Sequence, residues 1–329
     1  MYRHLIGLVV ISLFCCLHSA ITFEIDETLK GLTVLRAPFV ERDLVDGTLK
    51  GYFVDLLDEL SRVGNFNYTL TELPTSVPNG RNENNPTALT NELYRRRADF
   101  AIADYMVRQA QSTRNVDYSE PYLVSSMSAL VDKKRLANAN VGSIEDLINQ
   151  RKTQPQTTTT DDGNEPIILG AARSSSTYRH LTMTNDPIGR QLYEWLFRHS
   201  TQMVDSREEG ITRVLKSPYA FVQESMNNDL ATDEHCELTQ LQLSNTEPIS
   251  PHHGMKLEYS IAVASEKARK YLPAINQAME ELKTNGKLDE LHRRYWNRKC
   301  NGSPSDRVQH VVTAICTLFS LSISLFLLS

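Results

Sequence analysis

Three short segments of this chain carry polar side chains that could hold a small charged molecule. Ser174-Ser175-Ser176-Thr177 follows an apolar run, Glu224 follows the apolar run 219–222, and Arg108 lies in the turn after Ala103. Hydroxyls and N–H groups at a helix start can bind a carboxylate, a glutamate can bind an ammonium group, and an arginine can bind a carboxylate in a bidentate fork. Together the three segments describe a pocket for a zwitterion.

Each segment also has a simpler interpretation. Serine and threonine are typical helix N-caps, so 174–177 could serve only to start a helix. A lone glutamate at a strand end is typical of a solvated loop, and an arginine in a turn is typical of an exposed surface. The residues alone leave these alternatives open.

Alternating strands and helices must position these segments. Apolar runs predict strands at 32–40, 66–70, 100–103, 167–171, 219–222 and 259–264. Helical periodicity predicts helices at 51–63, 87–97, 144–149, 176–183, 188–197, 271–283 and 287–296. This alternation is typical of an α/β fold with parallel sheets, whose ligands bind beyond the carboxyl ends of the strands.

Both ends of the chain are apolar. Residues 1–20 combine a short basic start with an apolar stretch too brief to span a bilayer, which predicts a secretory signal peptide. Residues 301–329 combine small residues, a polar spacer and an apolar tail, which predicts a glycosylphosphatidylinositol anchor attached at Asn301. A plain C-terminal membrane helix is the alternative. We therefore expect the protein to follow the secretory pathway to the extracellular face of the plasma membrane.

Loss of both ends would leave Cys236 and Cys300 out of five cysteines. An even pair in an oxidising compartment predicts one disulfide. The rival zinc site, built from 233–236, lacks a further ligand at a suitable spacing, so no metal and no cofactor are expected. Asn67-Tyr68-Thr69 is an acceptor sequence for N-glycosylation.

The charge and motif content argue against two classes of protein, nucleic-acid-binding proteins and enzymes. The formal net charge of −5 over 329 residues offers no basic stripe for a nucleic acid. The sequence has no paired carboxylates, no nucleophile–base spacing and no metal set, so no enzyme activity is predicted. The adjacent pair His252-His253 is interpreted as part of a solvated or hydrogen-bonded turn.

Several segments resemble, in order along the chain, the ligand-binding domain of ionotropic glutamate receptors. The resemblance covers nearly all of 32–300, and its segments are Gly51-Tyr52-Phe53-Val54-Asp55-Leu56, 98–103, Val116-Asp117-Tyr118-Ser119-Glu120-Pro121-Tyr122, Ser175-Ser176-Thr177, Glu209-Gly210-Ile211, 219–225 and 296–300. The resemblance implies a bilobed clamshell of the periplasmic-binding-protein type II. Lobe 1 would comprise 24–127 plus 260–300, lobe 2 would comprise 128–259, and the chain would cross twice between them.

The resemblance also implies roles for individual residues. Glu224 would bind the α-ammonium of the ligand, and Ser176 and Thr177 would bind its carboxylates. Tyr259 would line the cleft, and Cys236 would pair with Cys300. In a channel subunit membrane helices separate the two halves, whereas the interval here is polar and has no run of roughly 20 apolar residues. A ligand-binding domain without a pore is therefore expected.

The carboxylate half of the site departs from the family pattern. The family arginine stands five residues before the Asp of an Asp-Phe/Tyr-Ser motif, and Ser112 occupies that position here. Arg108 and Arg114 lie nearby, and Arg36 stands where the family often has an acid. We predict that Arg108 replaces the missing arginine, with Arg36 as the second candidate; the alternative is that all three are solvated.

These observations predict a binding protein for a small amino acid, glutamate or a relative. Its membrane contact would be the C-terminal anchor, and a receptor partner or a homodimer is left open. One alternative is a surface protein that has lost its ligand. A remote alternative is an enzyme on the same fold.

Overall fold

The computed structural model describes residues 25–73, 86–104, 116–139, 141–153, 166–173, 175–244, 255–296 and 300. Its strands are β1 Ile25–Thr33, β2 Glu41–Arg42, β3 Leu49–Lys50, β4 Phe66–Glu72, β5 Phe100–Ala101, β6 Val116–Tyr118, β7 Leu123–Ser125, β8 Met127–Asp132, β9 Ile168–Ala171, β10 Tyr219–Glu224, β11 Leu238–Gln242, β12 Leu257–Tyr259 and β13 Ala262–Ala264.

Its helices are α1 Tyr52–Gly64, α2 Pro86–Tyr94, α3 Lys133–Ala139, α4 Ile144–Thr153, α5 Ser176–Met183, α6 Pro187–Arg198, α7 Arg207–Lys216, α8 Ser225–Glu234, α9 Ser265–Thr284 and α10 Lys287–Tyr295, with a 3-10 turn at Ser200–Gln202. None of these helices is both long and apolar enough to cross a membrane, a finding that concerns the described residues only.

The chain divides into two compact units. Of the described residues, unit 1 takes those from Ile25 to Tyr122 together with those from Ser260 to Leu291, and unit 2 takes those from Leu123 to Tyr259 together with 292–296 and Cys300. The first boundary thus lies five residues before the predicted one at 127/128. Residues 292–296 and Cys300, which we expected in lobe 1, group with unit 2.

Two contacts explain why the end of the described chain groups with unit 2. The indole Nε1 of Trp296 donates a hydrogen bond to the carbonyl oxygen of Met226 at 3.1 Å. Cys300 forms a disulfide with Cys236, which agrees with the pairing implied by the resemblance. Met226 belongs to α8, and Cys236 lies in the loop that follows this helix.

Unit 1 is built on a mixed sheet in the order β4-β1-β5-β13-β6. β1 pairs in parallel with β4 and β5, and β13 runs antiparallel to β5 and β6. α1 buries one face, because its apolar side chains recur at the spacing of a helix. The buried residues of that helix are Tyr52, Phe53, Leu56, Leu57 and Leu60.

Unit 2 is built on a second mixed sheet in the order β11-β8-β10-β9. β9 and β10 are parallel, whereas β8 is antiparallel to both of its neighbours. The predicted parallel pairing holds for β1 with β4 and β5 and for β9 with β10, but each sheet also contains antiparallel pairs. β8 and β13 run antiparallel to their neighbours because they join their sheets without the helical crossover connection that parallel neighbours require.

Candidate functional site

Glu224 lies at the carboxyl end of β10. All six residues of this strand are buried, and Glu224 itself is 2% exposed. β10 runs parallel to β9, with Val222 opposite Ala171. Because parallel strands end at the same edge of a sheet, the segment after β9 is brought next to Glu224.

That segment starts α5, and its hydroxyl groups have two roles: one caps the helix, and two bond Glu224. Ser175 is the N-cap, because its Oγ accepts a hydrogen bond from the backbone N–H of Tyr178 at 3.1 Å. Ser176 Oγ donates to Glu224 Oε1 at 2.7 Å, and Thr177 Oγ1 donates to Glu224 Oε2 at 2.9 Å. The capping interpretation is thus confirmed for Ser175, whereas the next two hydroxyls contact the buried carboxylate.

Sequence analysis missed two side chains that interact with Glu224, one through a hydrogen bond and one through its charge. Asn227, in the first turn of α8, donates its amide N–H to Glu224 Oε2 at 3.3 Å. His180 follows Ser176 by one turn of α5. His180 Nε2 and Asn227 Oδ1 are buried and make no hydrogen bond to the residues that the structure describes. The one sequence signal that could have predicted the contact of Asn227 with Glu224 is its position three residues after Glu224.

The carboxylate of Glu224 is held by neutral donors alone. Its three bonds come from two hydroxyls and one amide. Within the described part of the chain, no Lys, Arg or His nitrogen forms an ion pair with it within 4.0 Å. A buried carboxylate is costly unless an opposite charge or several hydrogen bonds offset its lost hydration. Among the described residues, hydrogen bonds and not an ion pair offset the burial of this charge.

Burial lowers the pKa of the His180 imidazole below its usual value, because the ring loses hydration that stabilises its charged form. The negative charge of Glu224 opposes this shift and raises the pKa, whereas the neighbouring Arg179 lowers it further. A pKa below the usual value makes the neutral form of His180 the favoured one at pH 7.

Arg36 lies in unit 1 and is already engaged by a carboxylate. Its Nη1 is 2.6 Å from Asp104 Oδ2, with side-chain exposures of 22% and 2%. Arg36 follows β1 and Asp104 follows β5, which are parallel neighbours. The sequence pointed to Arg36 but did not predict its pairing with Asp104, since the two residues stand 68 positions apart.

Two further predicted residues lie in strands. Tyr259 is fully buried in β12, so its side chain is part of the core of unit 2. Asn67 is exposed on β4, which is an edge strand of its sheet. An exposed edge position is accessible to the glycosylation machinery.

Several predicted features lie outside the described residues. These are the signal peptide 1–20, the anchor segment 301–329 with Asn301, and Ser174, Arg108, Ser112, Arg114 and His252-His253. Within the described ranges, no group of three or more His, Cys, Asp or Glu side chains could hold a metal ion. The rival zinc site is contradicted directly, because the Cys236 sulfur is bonded to Cys300.

Comparison with known proteins supports the resemblance noted in the sequence. A family model described as the ligated ion channel L-glutamate- and glycine-binding site matches residues 27–135. Glutamate receptor U1 of Xenopus laevis is 25% identical over 179 residues, which cover 54% of this chain and 32% of that protein. A probable glutamate receptor of Gallus gallus is 27% identical over 49% of this chain and 28% of that protein. This chain thus matches about a third of the length of these two relatives.

Two matches extend over more of the chain. A probable glutamate receptor of Lithobates berlandieri is 20% identical, covering 84% of this chain and 75% of that protein. A solved structure described as a Drosophila muscle GluRIIB complex with glutamate superposes with a TM-score of 0.62 at 20% identity, covering 82% of this chain and 99% of that chain. The predicted resemblance and the predicted fold class, the two-lobed α/β fold of glutamate-receptor ligand-binding domains, are confirmed.

Proposed function

We propose that this chain is a non-enzymatic, pore-less binding protein for a small amino acid, displayed on the outer face of the plasma membrane. Glu224 holds the α-ammonium group of the ligand. The solved relative is a complex with glutamate, which makes L-glutamate the first ligand to test.

The observation that carries this proposal is the charge at Glu224. The carboxylate is 2% exposed and accepts three bonds from neutral groups. A carboxylate offers about four acceptor positions, so one remains for a further donor. An ammonium group fits that position in both charge and hydrogen-bonding capacity.

The ligand carboxylate is assigned to the start of α5 and to an arginine. Backbone N–H groups at the N-terminus of α5 favour an anion. The hydroxyl hydrogens of Ser176 and Thr177 are already donated to Glu224, so we assign the ligand carboxylate to these backbone N–H groups and not to the two hydroxyls. Arg108 is the first candidate for the cation. Arg36 is second, because its Nη1 is already bonded to Asp104.

Isothermal titration calorimetry of the full-length chain, purified in mild detergent, tests the ammonium assignment. L-glutamate should bind, whereas glutarate, which lacks the ammonium group, should bind at least tenfold more weakly. Glu224→Gln should weaken L-glutamate binding by at least tenfold, since a bond to a charged group contributes roughly 1.5–3 kcal/mol. The matched control is Glu234→Gln, an exposed glutamate at the end of the same α8, which should bind like the wild type.

The same titrations separate the alternatives. No heat and no thermal shift with any of the common amino acids would identify a surface protein without ligand, because bound ligand must stabilise the folded state. Binding that is equal for glutamate and glutarate would show that the ligand is not held by an ammonium group.

Attachment to the membrane is proposed through the C-terminal segment. Small residues at 301–303 followed by a spacer and an apolar tail support a glycosylphosphatidylinositol anchor. Phosphatidylinositol-specific phospholipase should release the protein from expressing cells. Protein that stays on the cells with its tail intact would identify a membrane helix instead.

A further inference from the structure

His180 lies on α5, the helix whose first hydroxyls bond Glu224, and its ring interacts electrostatically with the Glu224 carboxylate. It stands four residues after Ser176 and three after Thr177, which is the spacing that brings side chains to one face of a helix. Both of those hydroxyls donate to Glu224. The buried His180 Nε2 has no hydrogen-bond partner among the described residues.

We infer that His180 is a positioning residue that makes ligand binding at Glu224 sensitive to pH. In its neutral form it leaves the carboxylate to a ligand ammonium group, and in its protonated form it supplies a competing positive charge. This inference rests on the proposed function, because it assumes that the ligand carries an ammonium group.

The charges around His180 support this role. Glu224 reaches it from β10 and favours the protonated ring, and Arg179 of its own helix disfavours that form. The charged residues of the neighbouring α6 are bonded elsewhere: Arg190 to Asn185, and Arg198 to Glu194. From α8, the residue nearest the carboxylate is the uncharged Asn227. Glu224 is thus the charged group with which a protonated His180 interacts electrostatically.

The direction of the effect follows from these contacts. His180 lies beyond ion-pair distance of Glu224, so its charge acts on the carboxylate and on a bound ammonium through the electric field. Burial lowers the pKa of the ring, so the ring is neutral at pH 7.5 and gains its proton as the solution becomes acidic. The affinity for an ammonium ligand should therefore fall with falling pH.

The first test compares L-glutamate binding at pH 7.5 and pH 5.5 by calorimetry on the full-length chain in mild detergent. The dissociation constant of the wild type should rise about fivefold or more at the lower pH, a usual size for coupling between two sites. In His180→Gln the dissociation constants measured at the two pH values should differ by less than about twofold. The control His235→Gln, which removes a histidine at the end of α8, should keep the wild-type ratio. An equal ratio in the wild type and His180→Gln would overturn the inference.

The second test needs no ligand. The pKa of the His180 ring is measured by NMR titration in the wild type and in Glu224→Gln. It should fall in Glu224→Gln, because the carboxylate that favours the imidazolium is gone. An unchanged pKa would overturn the inference even if amino acids bind. Absence of binding together with a lowered pKa would sink the proposed function but leave the coupling between His180 and Glu224 established.

Discussion

Two of the buried carboxylates that the structure describes, Asp104 and Glu224, are stabilised in different ways. Asp104 in unit 1 is paired with the guanidinium of Arg36, whereas Glu224 in unit 2 accepts bonds from two hydroxyls and an amide. When the cation of an ion pair is removed, the buried carboxylate is left without any counter-charge. A carboxylate held by neutral donors loses one hydrogen bond at a time, so the two sites should respond differently to substitution.

Replacing Thr177 by valine should destabilise unit 2. The change keeps the shape of the side chain but removes the donor to Glu224 Oε2, which leaves a buried acceptor short of one bond. We expect a loss of about 2 kcal/mol in the free energy of unfolding, measured by urea titration. The control is Thr182→Val on the same α5, an exposed residue whose hydroxyl bonds only to the carbonyl of Arg179. Equal losses for the two variants would contradict the role given to Thr177.

Replacing Arg36 by methionine should destabilise unit 1 by about 3 kcal/mol, because it leaves the carboxylate of Asp104 buried without its cation. The control is Arg42→Met, which breaks an ion pair with Glu72 whose side chains are 48% and 36% exposed. Such surface pairs contribute less than about 1 kcal/mol. Similar losses in the two variants would show that burial of Asp104 does not matter.

At this scale the sequence predicts part of the site. It identified Glu224 at a strand end and hydroxyls at a helix start, because both positions follow from local patterns. It did not assign the N-cap to Ser175, since three adjacent serines are equivalent until the helix begins. It also missed His180, because nothing local tells a helical histidine that it faces a residue 44 positions away.

At the scale of elements, helices are predicted better than strands. The predicted helix 176–183 coincides with α5, because helical periodicity is a local property. The predicted strand 259–264 is wrong as a single element. It is split into β12, which pairs with β7, and β13, which pairs with β5 and β6. The predicted strand 32–40 also fails, since β1 ends at Thr33. Hydrophobic runs mark what is buried, but they do not reveal which sheet supplies the partner.

The packing of α7 against β10 depends on a glycine. A Cβ added at Gly210 would lie 2.5 Å from the ring carbon Cε2 of the buried Phe221. Gly210→Ala should therefore destabilise unit 2 by about 1–2 kcal/mol, despite the better helix propensity of alanine. The measurement is urea unfolding, with the exposed Thr212→Ala on the same helix as the control.

A second substitution checks the cause of that loss. Phe221→Leu costs stability by itself, but it should reduce the additional loss caused by Gly210→Ala, because the smaller side chain removes the clash. If the two losses simply add, the ring of Phe221 is not what excludes a side chain at Gly210.

At the scale of the whole chain, alternation of strands and helices predicts the α/β class, and the ordered motifs predict the family resemblance. The unit boundaries are less predictable, because they depend on contacts. The start of α10 up to Leu291 groups with unit 1, whereas residues 292–296 and Cys300 group with unit 2, where Trp296 and Cys300 find their partners. Whether a segment stays with the preceding helix or joins the other unit is decided by such long-range contacts.

Removing the disulfide should destabilise unit 2. In the chain-entropy model, a bridge over a sequence separation of 64 contributes about 4 kcal/mol. The double substitution Cys236→Ser and Cys300→Ser should lower the free energy of unfolding by about this amount, measured by urea titration. Reductant should destabilise the wild type to the same extent and should leave the double variant unchanged. Equal midpoints for the wild type and the double variant would contradict this expectation.

The same bridge determines how the chain carries mechanical load. Tension applied beyond Cys300 passes through the sulfur atoms to Cys236 and does not stretch the residues between them. Because an extended chain spans about 3.5 Å per residue, the bridge conceals roughly 220 Å of contour length over its separation of 64 residues. An optical-trap record should show this length only in the presence of reductant. Under oxidising conditions the force is therefore applied to unit 2 at Cys236, just after the C-terminal end of α8. This helix begins immediately after Glu224.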